Sequence, residues 1–186
     1  MGRIVVTEFI SIDGVIQDPG GAEGTKHGGW SFAVPRGADG DKFKLDETMD
    51  SEALLLGRKT YEGFAQAWPT IKDDVGFADK FNAMPKYVVS STLTDPEWTN
   101  SKVISIDEVP TVKDQLAGEL VVHGSGQLVQ ALLERDLVDE LRLMVYPLVL
   151  GDGQRLFGDT PDKLQLKLTG TQTVGDGVVV LTYARA

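Results

Sequence analysis

Short blocks of consecutive apolar residues recur along the chain and stop at glycine, proline or small polar residues. Ile4 to Ile12 reads as a strand closed by a turn at Asp13-Gly14. Ala53-Leu54-Leu55-Leu56, Tyr87-Val88-Val89, Val103 to Ile106 and Leu120-Val121-Val122 have the unbroken apolar character of strands buried on both faces. Between them lie segments with helical spacing. These are Asp39–Met49, with Phe43, Leu45 and Met49 as expected core positions, then Thr60–Phe64, Asp79–Met84, Pro110–Leu116 and Gly126–Arg135. Glu140–Leu150 reads as a long strand interrupted by Pro147, which predicts an edge or a bulge. Gln165–Val174 and Val178–Tyr183 flank Gly175-Asp176-Gly177 and predict a hairpin. Strands alternating with helices, followed by an antiparallel C-terminal section, predict a three-layer α/β domain with a mixed sheet. The whole chain, residues 1–186, reads as one such domain.

Composition narrows the chemistry. Among 186 residues there is no cysteine, so thiolate catalysis, disulfides and Cys-ligated metal have no basis. Two histidines make a metal site a poor expectation. A net charge of −10 argues against a broad nucleic-acid or anionic-membrane surface, and leaves room for one small basic pocket. No apolar run approaches the roughly 18 residues of a membrane span, and polar Thr7 and Glu8 interrupt any signal-peptide order, so a cytoplasmic protein is expected. Asp18 to Gly40, rich in glycine, is long for a structureless loop and reads as functional or mobile.

In open α/β sheets ligands sit beyond the carboxyl ends of the strands, and three predicted strand ends carry suitable residues. Gly57-Arg58-Lys59-Thr60 couples a close-approach glycine and a helix start to two cations and a hydroxyl. Ser90-Ser91 follows Val88-Val89. Gly124-Ser125-Gly126-Gln127-Leu128 follows Val121-Val122 and opens a helix, as a pyrophosphate turn does. The full dinucleotide fingerprint is not met, because Val129 stands where its third glycine belongs. Together the three ends point to one extended phosphate-bearing ligand. The cations at Arg58 and Lys59 favour a 2′-phosphate, hence NADPH over NADH.

Leu54 to Glu62 resembles the cofactor-phosphate turn of dihydrofolate reductases, and Val121 to Val129 resembles their pyrophosphate turn. Val138-Asp139-Glu140-Leu141-Arg142-Leu143 onward to Pro147, Gly151-Asp152-Gly153 and Leu156-Phe157, with Ser11-Ile12-Asp13-Gly14, is more similar to the reductase domain of bifunctional riboflavin-biosynthesis enzymes. The resemblance implies an α/β/α dihydrofolate reductase-like fold and NADPH held at Gly57, Arg58, Lys59, Thr60, Ser90, Ser91 and the turn Gly124, Ser125, Gly126, Gln127, Leu128. It also implies a flat heterocyclic substrate, pteridine- or pyrimidine-like. Two features depart from it: the long Asp13–Asp39 segment, and the lack of any cysteine for the partner domain's zinc site.

The first helix of a dihydrofolate reductase carries the acid that binds substrate and helps deliver a proton. The family's spacing from Gly57 reaches Asp41, a small shift reaches Asp39, and Asp13 at the end of the first strand is a third candidate. Trp30, in the glycine-rich segment, is the expected wall of a substrate pocket. His123 is expected to be a hydrogen-bonded core residue and His27 a surface one. The leading expectation is an NADPH-dependent oxidoreductase. The alternatives are the 5-amino-6-(5-phosphoribosylamino)uracil reductase of riboflavin biosynthesis, with Arg36, Lys42 or Arg155 as a second anion site, and a non-catalytic nucleotide-binding module. The apolar C-terminal strands suggest a homodimer.

Overall fold

The structure, a computed structural model, describes residues 2–159 and 163–186. Its strands are β1 (Arg3–Ser11), β2 (Ser51–Gly57), β3 (Lys86–Val89), β4 (Ser101–Ile104), β5 (Glu119–His123), β6 (Glu140–Tyr146), β7 (Leu166–Val174) and β8 (Val178–Arg185). Its helices are α1 (Gly37–Asp50), α2 (Arg58–Ala67), α3 (Phe77–Ala83), α4 (Val109–Gln115) and α5 (Gly126–Glu134). The strands form one mixed sheet in the order β4-β3-β2-β5-β1-β6-β8-β7. The first six strands in sequence run parallel, and β8 turns back antiparallel on β6 and pairs with β7.

The unbroken apolar runs are strands with both faces covered. On β2, Ala53 and Leu55 join a core with Val109 and Val112 of α4 and Leu128, Val129 and Leu132 of α5. Leu54 and Leu56 point the other way, against Tyr61 of α2 and Phe81 of α3. A third cluster packs Trp30 with Met144, Tyr146, Val174, Val178 and Val180, with Phe43 of α1 partly buried against it. The result is the expected three-layer mixed sheet. Among the described residues no helix is long and apolar enough to cross a membrane.

Three expectations need correction. First, β6 is a central strand between β1 and β8, and Pro147 ends it instead of bulging it. Second, Val103 to Ile106 leaves the sheet at Ile104, because Ile106 opens a 3-10 turn capped by Ser105 and Glu108. Third, the inward face of α1 is polar: Lys44, Glu47 and Thr48 are buried, Leu45 is half-buried and Met49 is 40% exposed. The Thr7 hydroxyl on β1 and the Arg142 guanidinium on β6 reverse the facing that hydropathy predicts.

The glycine-rich segment is a loop built on its own hydrogen bonds. Asp18, 2% exposed, accepts the N–H groups of Glu23 and Thr25 and the Thr25 hydroxyl, while its carbonyl accepts Gly21 and Gly29 N–H. The Trp30 indole N–H donates to the Gln17 carbonyl at 2.7 Å.

Candidate functional site

Strand order places the carboxyl ends of β3, β2, β5 and β1 side by side. At about 4.8 Å per strand they form an edge on the order of 15 Å long. Two of these ends are joined directly. Gly124 (φ 63°) and Ser125 (φ 65°) both adopt left-handed backbone, a conformation costly for serine. The Ser125 hydroxyl accepts the Gly57 N–H at 2.8 Å and donates to Thr60 Oγ1 at 2.8 Å. Gly57 must be glycine here, since a Cβ would lie 2.9 Å from Ser125 Oγ. The turns after β2 and β5 are thus one unit.

Ser125 is the N-cap of α5, and its carbonyl accepts the first helical bond from Val129. The amides of Gly126, Gln127 and Leu128 occupy the first turn, where backbone donors have no partner within the helix. Gln127 is exposed, whereas Leu128 buries its side chain in the core and offers only backbone. Arg58 and Lys59 begin α2 and are exposed. Arg58 lies on Glu62, one helical turn on, at 3.0 Å. Ser90 and Ser91 end β3 beside Gly57. The Ser90 hydroxyl accepts Thr92 and Leu93 N–H and so shapes its own turn, leaving Ser91 exposed.

The three candidate acids have partners outside that unit. Asp13 accepts the Ser11 hydroxyl at 2.6 Å and the Gly151 and Leu150 amides at 2.8 and 3.1 Å. Those bonds, the Ser11 one foremost, hold its carboxyl down at about 2. It is a permanent anion pinning the chain after β6 to the tip of β1. Asp39 accepts the Gly175 N–H at 3.2 Å, fixing the start of α1 on the β7–β8 turn. Asp41 is two-thirds exposed and paired with Arg36 at 2.7 Å.

Trp30 is 4% exposed and packs edge-to-face on Tyr146 at 5.4 Å, while Phe32 nearby in sequence is 77% exposed. A cavity of about 180 Å³ lies between the glycine-rich loop and residues 150–153, lined by Val15, Gln17, Lys26, His27, Leu150 and Asp152.

Sequence reasoning passed over the buried polar residues of β1. Thr7, Lys44, Glu47, Arg142 and Glu119 form a linked network beneath α1. His123 ends β5 against Phe64 and Phe81, 5.5 Å from the Phe81 ring centroid. Burial and Lys44 push its imidazole down to about 3, so it is neutral. Its Nε2 has no partner among the described residues, which differs from the hydrogen-bonded core histidine expected. Glu8, on the opposite face, is also buried without a partner for Oε1. The available signal was a pair of polar residues, Thr7-Glu8, inside a strand apolar on both faces.

An open α/β sheet here brings glycine turns, hydroxyls and a helix start together along neighbouring strand tips. Residues 3–180 match the RibD C-terminal domain, and the chain belongs to that family. It is 27% identical to the uncharacterised protein YyaP of Bacillus subtilis, over 97% of this chain and 94% of that one. YwjB of the same organism is also 27% identical, over 80% of this chain and 82% of its own. Among solved structures, a Shewanella sp. PV-4 protein with a provisional riboflavin-biosynthesis name superposes with a TM-score of 0.79 at 21% identity, covering 99% of both chains. A pyrimidine reductase-like protein of Corynebacterium diphtheriae gives 0.61 at 13% identity, covering 99% of this chain and 92% of its own. The fold is therefore the dihydrofolate reductase-like one expected.

Proposed function

We propose that this protein is an NADPH-dependent oxidoreductase acting on a flat, pteridine- or pyrimidine-like heterocycle. The observation that carries the reading is the Ser125 hydroxyl bridging the Gly57 amide and Thr60, which makes two turns and a helix start into a single anion-binding edge. In this reading the Gly126–Leu128 amides take the pyrophosphate, and Thr60, Arg58 and Lys59 take the 2′-phosphate. When bound, NADPH supplies the reducing equivalent. The protein binds it, orients it along the strand tips and shields the reacting rings from water.

Of the three acids, Asp41 is the one held only by a surface ion pair, and the proposal keeps it as the proton-delivering residue. Trp30 serves by holding the loop that walls the cavity. The phosphate-bearing riboflavin precursor is the second reading. Its earlier candidate anchors are engaged, Arg36 on Asp41, Lys42 on Asp46 and Arg155 on the Asp13 carbonyl. Lys26 and His27 beside the cavity are what favour it.

Nicotinamide fluorescence on titration with NADPH tests the reading. Saturable binding is expected, tighter than for NADH, followed by oxidation when a heterocycle of the right class is added. Binding without oxidation across dihydropteridines and aminopyrimidines would leave a non-catalytic nucleotide module. An absence of binding would remove the proposal.

A further inference from the structure

Side chains alternate along β1, so Ile4, Val6, Glu8 and Ile10 share the face that meets α5. The other members of that layer are apolar: Ala53 and Leu55 of β2, Leu120 and Val122 of β5, Leu141 and Leu143 of β6. Glu8 is 5% exposed in their midst, and its Oε1 has no hydrogen-bond partner among the described residues. Thr7 pairs with His123, the last residue of β5, so Glu8 lies level with the residue that follows the strand, Gly124, at the left-handed turn. The Gly124 N–H is the backbone donor that favours its charged form. A carboxyl group thus sits sealed beneath the turn that the proposed function assigns to an anionic ligand.

We propose that Glu8 is a positioning residue for the Gly124–Gly126 turn, and that its carboxyl must carry a proton for the turn to accept an anion. This rests on the dinucleotide reading above and deepens it. An ionised Glu8 would place a second, uncompensated negative charge in a low-dielectric layer directly under the bound phosphates. The charged groups acting on it are Lys44 and Glu47 of α1, across the sheet, with opposite effects. The β5 end contributes His123, which is neutral. From α5 the sheet-facing residues are Gly126, Leu128, Val129 and Leu132, and from β6 the paired residue is Leu143, none of them charged. Burial is the dominant influence, and it pushes the carboxyl up to about 8. The neutral acid is therefore the resting form, and anion binding above it raises its proton affinity further.

The test is the dissociation constant of NADPH for wild type and Glu8→Gln, by nicotinamide fluorescence, from about pH 6 to about pH 9.5. Wild type should weaken by up to about tenfold per pH unit above about pH 8, the limit for one linked proton. Glu8→Gln, a neutral isostere, should keep the low-pH affinity and lose the alkaline decline. A variant that follows the wild-type curve overturns the role of Glu8. If wild type binds no NADPH at any pH, the dinucleotide reading fails separately, and stabilisation of the fold by inorganic pyrophosphate then decides the matter. Glu8 retains its role only if that stabilisation shows the same alkaline decline and the same rescue. Should Glu8→Gln not fold, infrared spectroscopy of wild type decides. A protonated carboxyl band at neutral pH that vanishes as binding is lost supports the proposal, and its absence at neutral pH ends it.

Discussion

Thr7 and Glu8 are neighbours on β1, and they face opposite layers that treat charge in opposite ways. Beneath α1, Thr7 donates to Glu47, which Lys44 and Arg142 also hold, and Arg142 grips Glu119 with two nitrogens at 2.7 and 2.9 Å. Burial alone would raise Glu47, but Lys44, Arg142 and their hydrogen bonds win and keep its carboxylate below the usual range. Beneath α5 the described residues packed in the core layer are apolar, and burial prevails at Glu8. Depth is similar on the two sides, at 5% exposure each. What decides the protonation state is the company of fixed cations. One face can thus hold rigid charges as structure, while the other holds a titratable group beneath the proposed ligand edge.

Breaking the first face should have the largest effect. Glu47→Ala strands Lys44 and Arg142 without a counter-charge, and loss of one partner of a buried pair costs about 3–5 kcal/mol. Urea denaturation would show it, and a loss under 1 kcal/mol by that measure would mean that the network is not coupled as drawn. The second face should respond with the opposite sign. The folded Glu8 holds a proton that the unfolded chain releases between its ordinary value of 4.5 and about 8, so stability falls as pH rises through that window. Glu8→Leu removes the titration and suits the apolar layer. It should therefore gain stability over wild type as pH rises, on the order of 3 kcal/mol at neutral pH by linkage. Parallel stability–pH curves for the two proteins would refute the assignment of the raised carboxyl to Glu8.

The joined strand-tip turns were legible in the sequence because their signals are local. A glycine where two turns touch, a hydroxyl beside it and a helix starting at once after a buried strand all lie within a few residues, at Gly57–Thr60 and at Gly124–Leu128. The α1 face was not legible, because its inward residues are chosen by partners 37 to 95 positions away in sequence, namely Thr7 and Arg142. Hydropathy places Met49 inside, whereas Arg142 and Thr7 draw in Glu47 and Lys44 instead. The acids show the same limit. Asp13 stands at a strand tip as a catalytic carboxylate would, yet its partners include two amides more than 130 residues downstream that lock it as an anion.

On the proposed ligand edge the comparison is between charge in water and charge in the core. Lys59 is exposed, so removing it should leave the fold nearly untouched and act on the ligand alone. Lys59→Ala should weaken NADPH by about tenfold, the worth of one charge-assisted phosphate contact, and NADH far less. Equal losses for both dinucleotides would move the 2′-phosphate away from the start of α2.

The smallest effect expected comes from Glu62, and its sign separates stability from binding. Arg58 and Glu62 are each nearly half exposed and one helical turn apart, so their pair adds only about 0.3–0.5 kcal/mol to the fold. Yet the same pair competes with any phosphate for the Arg58 guanidinium, which can satisfy one anion fully at a time. Glu62→Gln should therefore lower the unfolding free energy by a few tenths of a kcal/mol and tighten NADPH by about two- to threefold, since a share of that pair energy no longer opposes the ligand. Thermal unfolding and fluorescence titration on one preparation read both quantities. Opposite movements would place Arg58 on the ligand, whereas weaker binding of NADPH would show that Glu62 orients Arg58 toward the phosphate and does not restrain it.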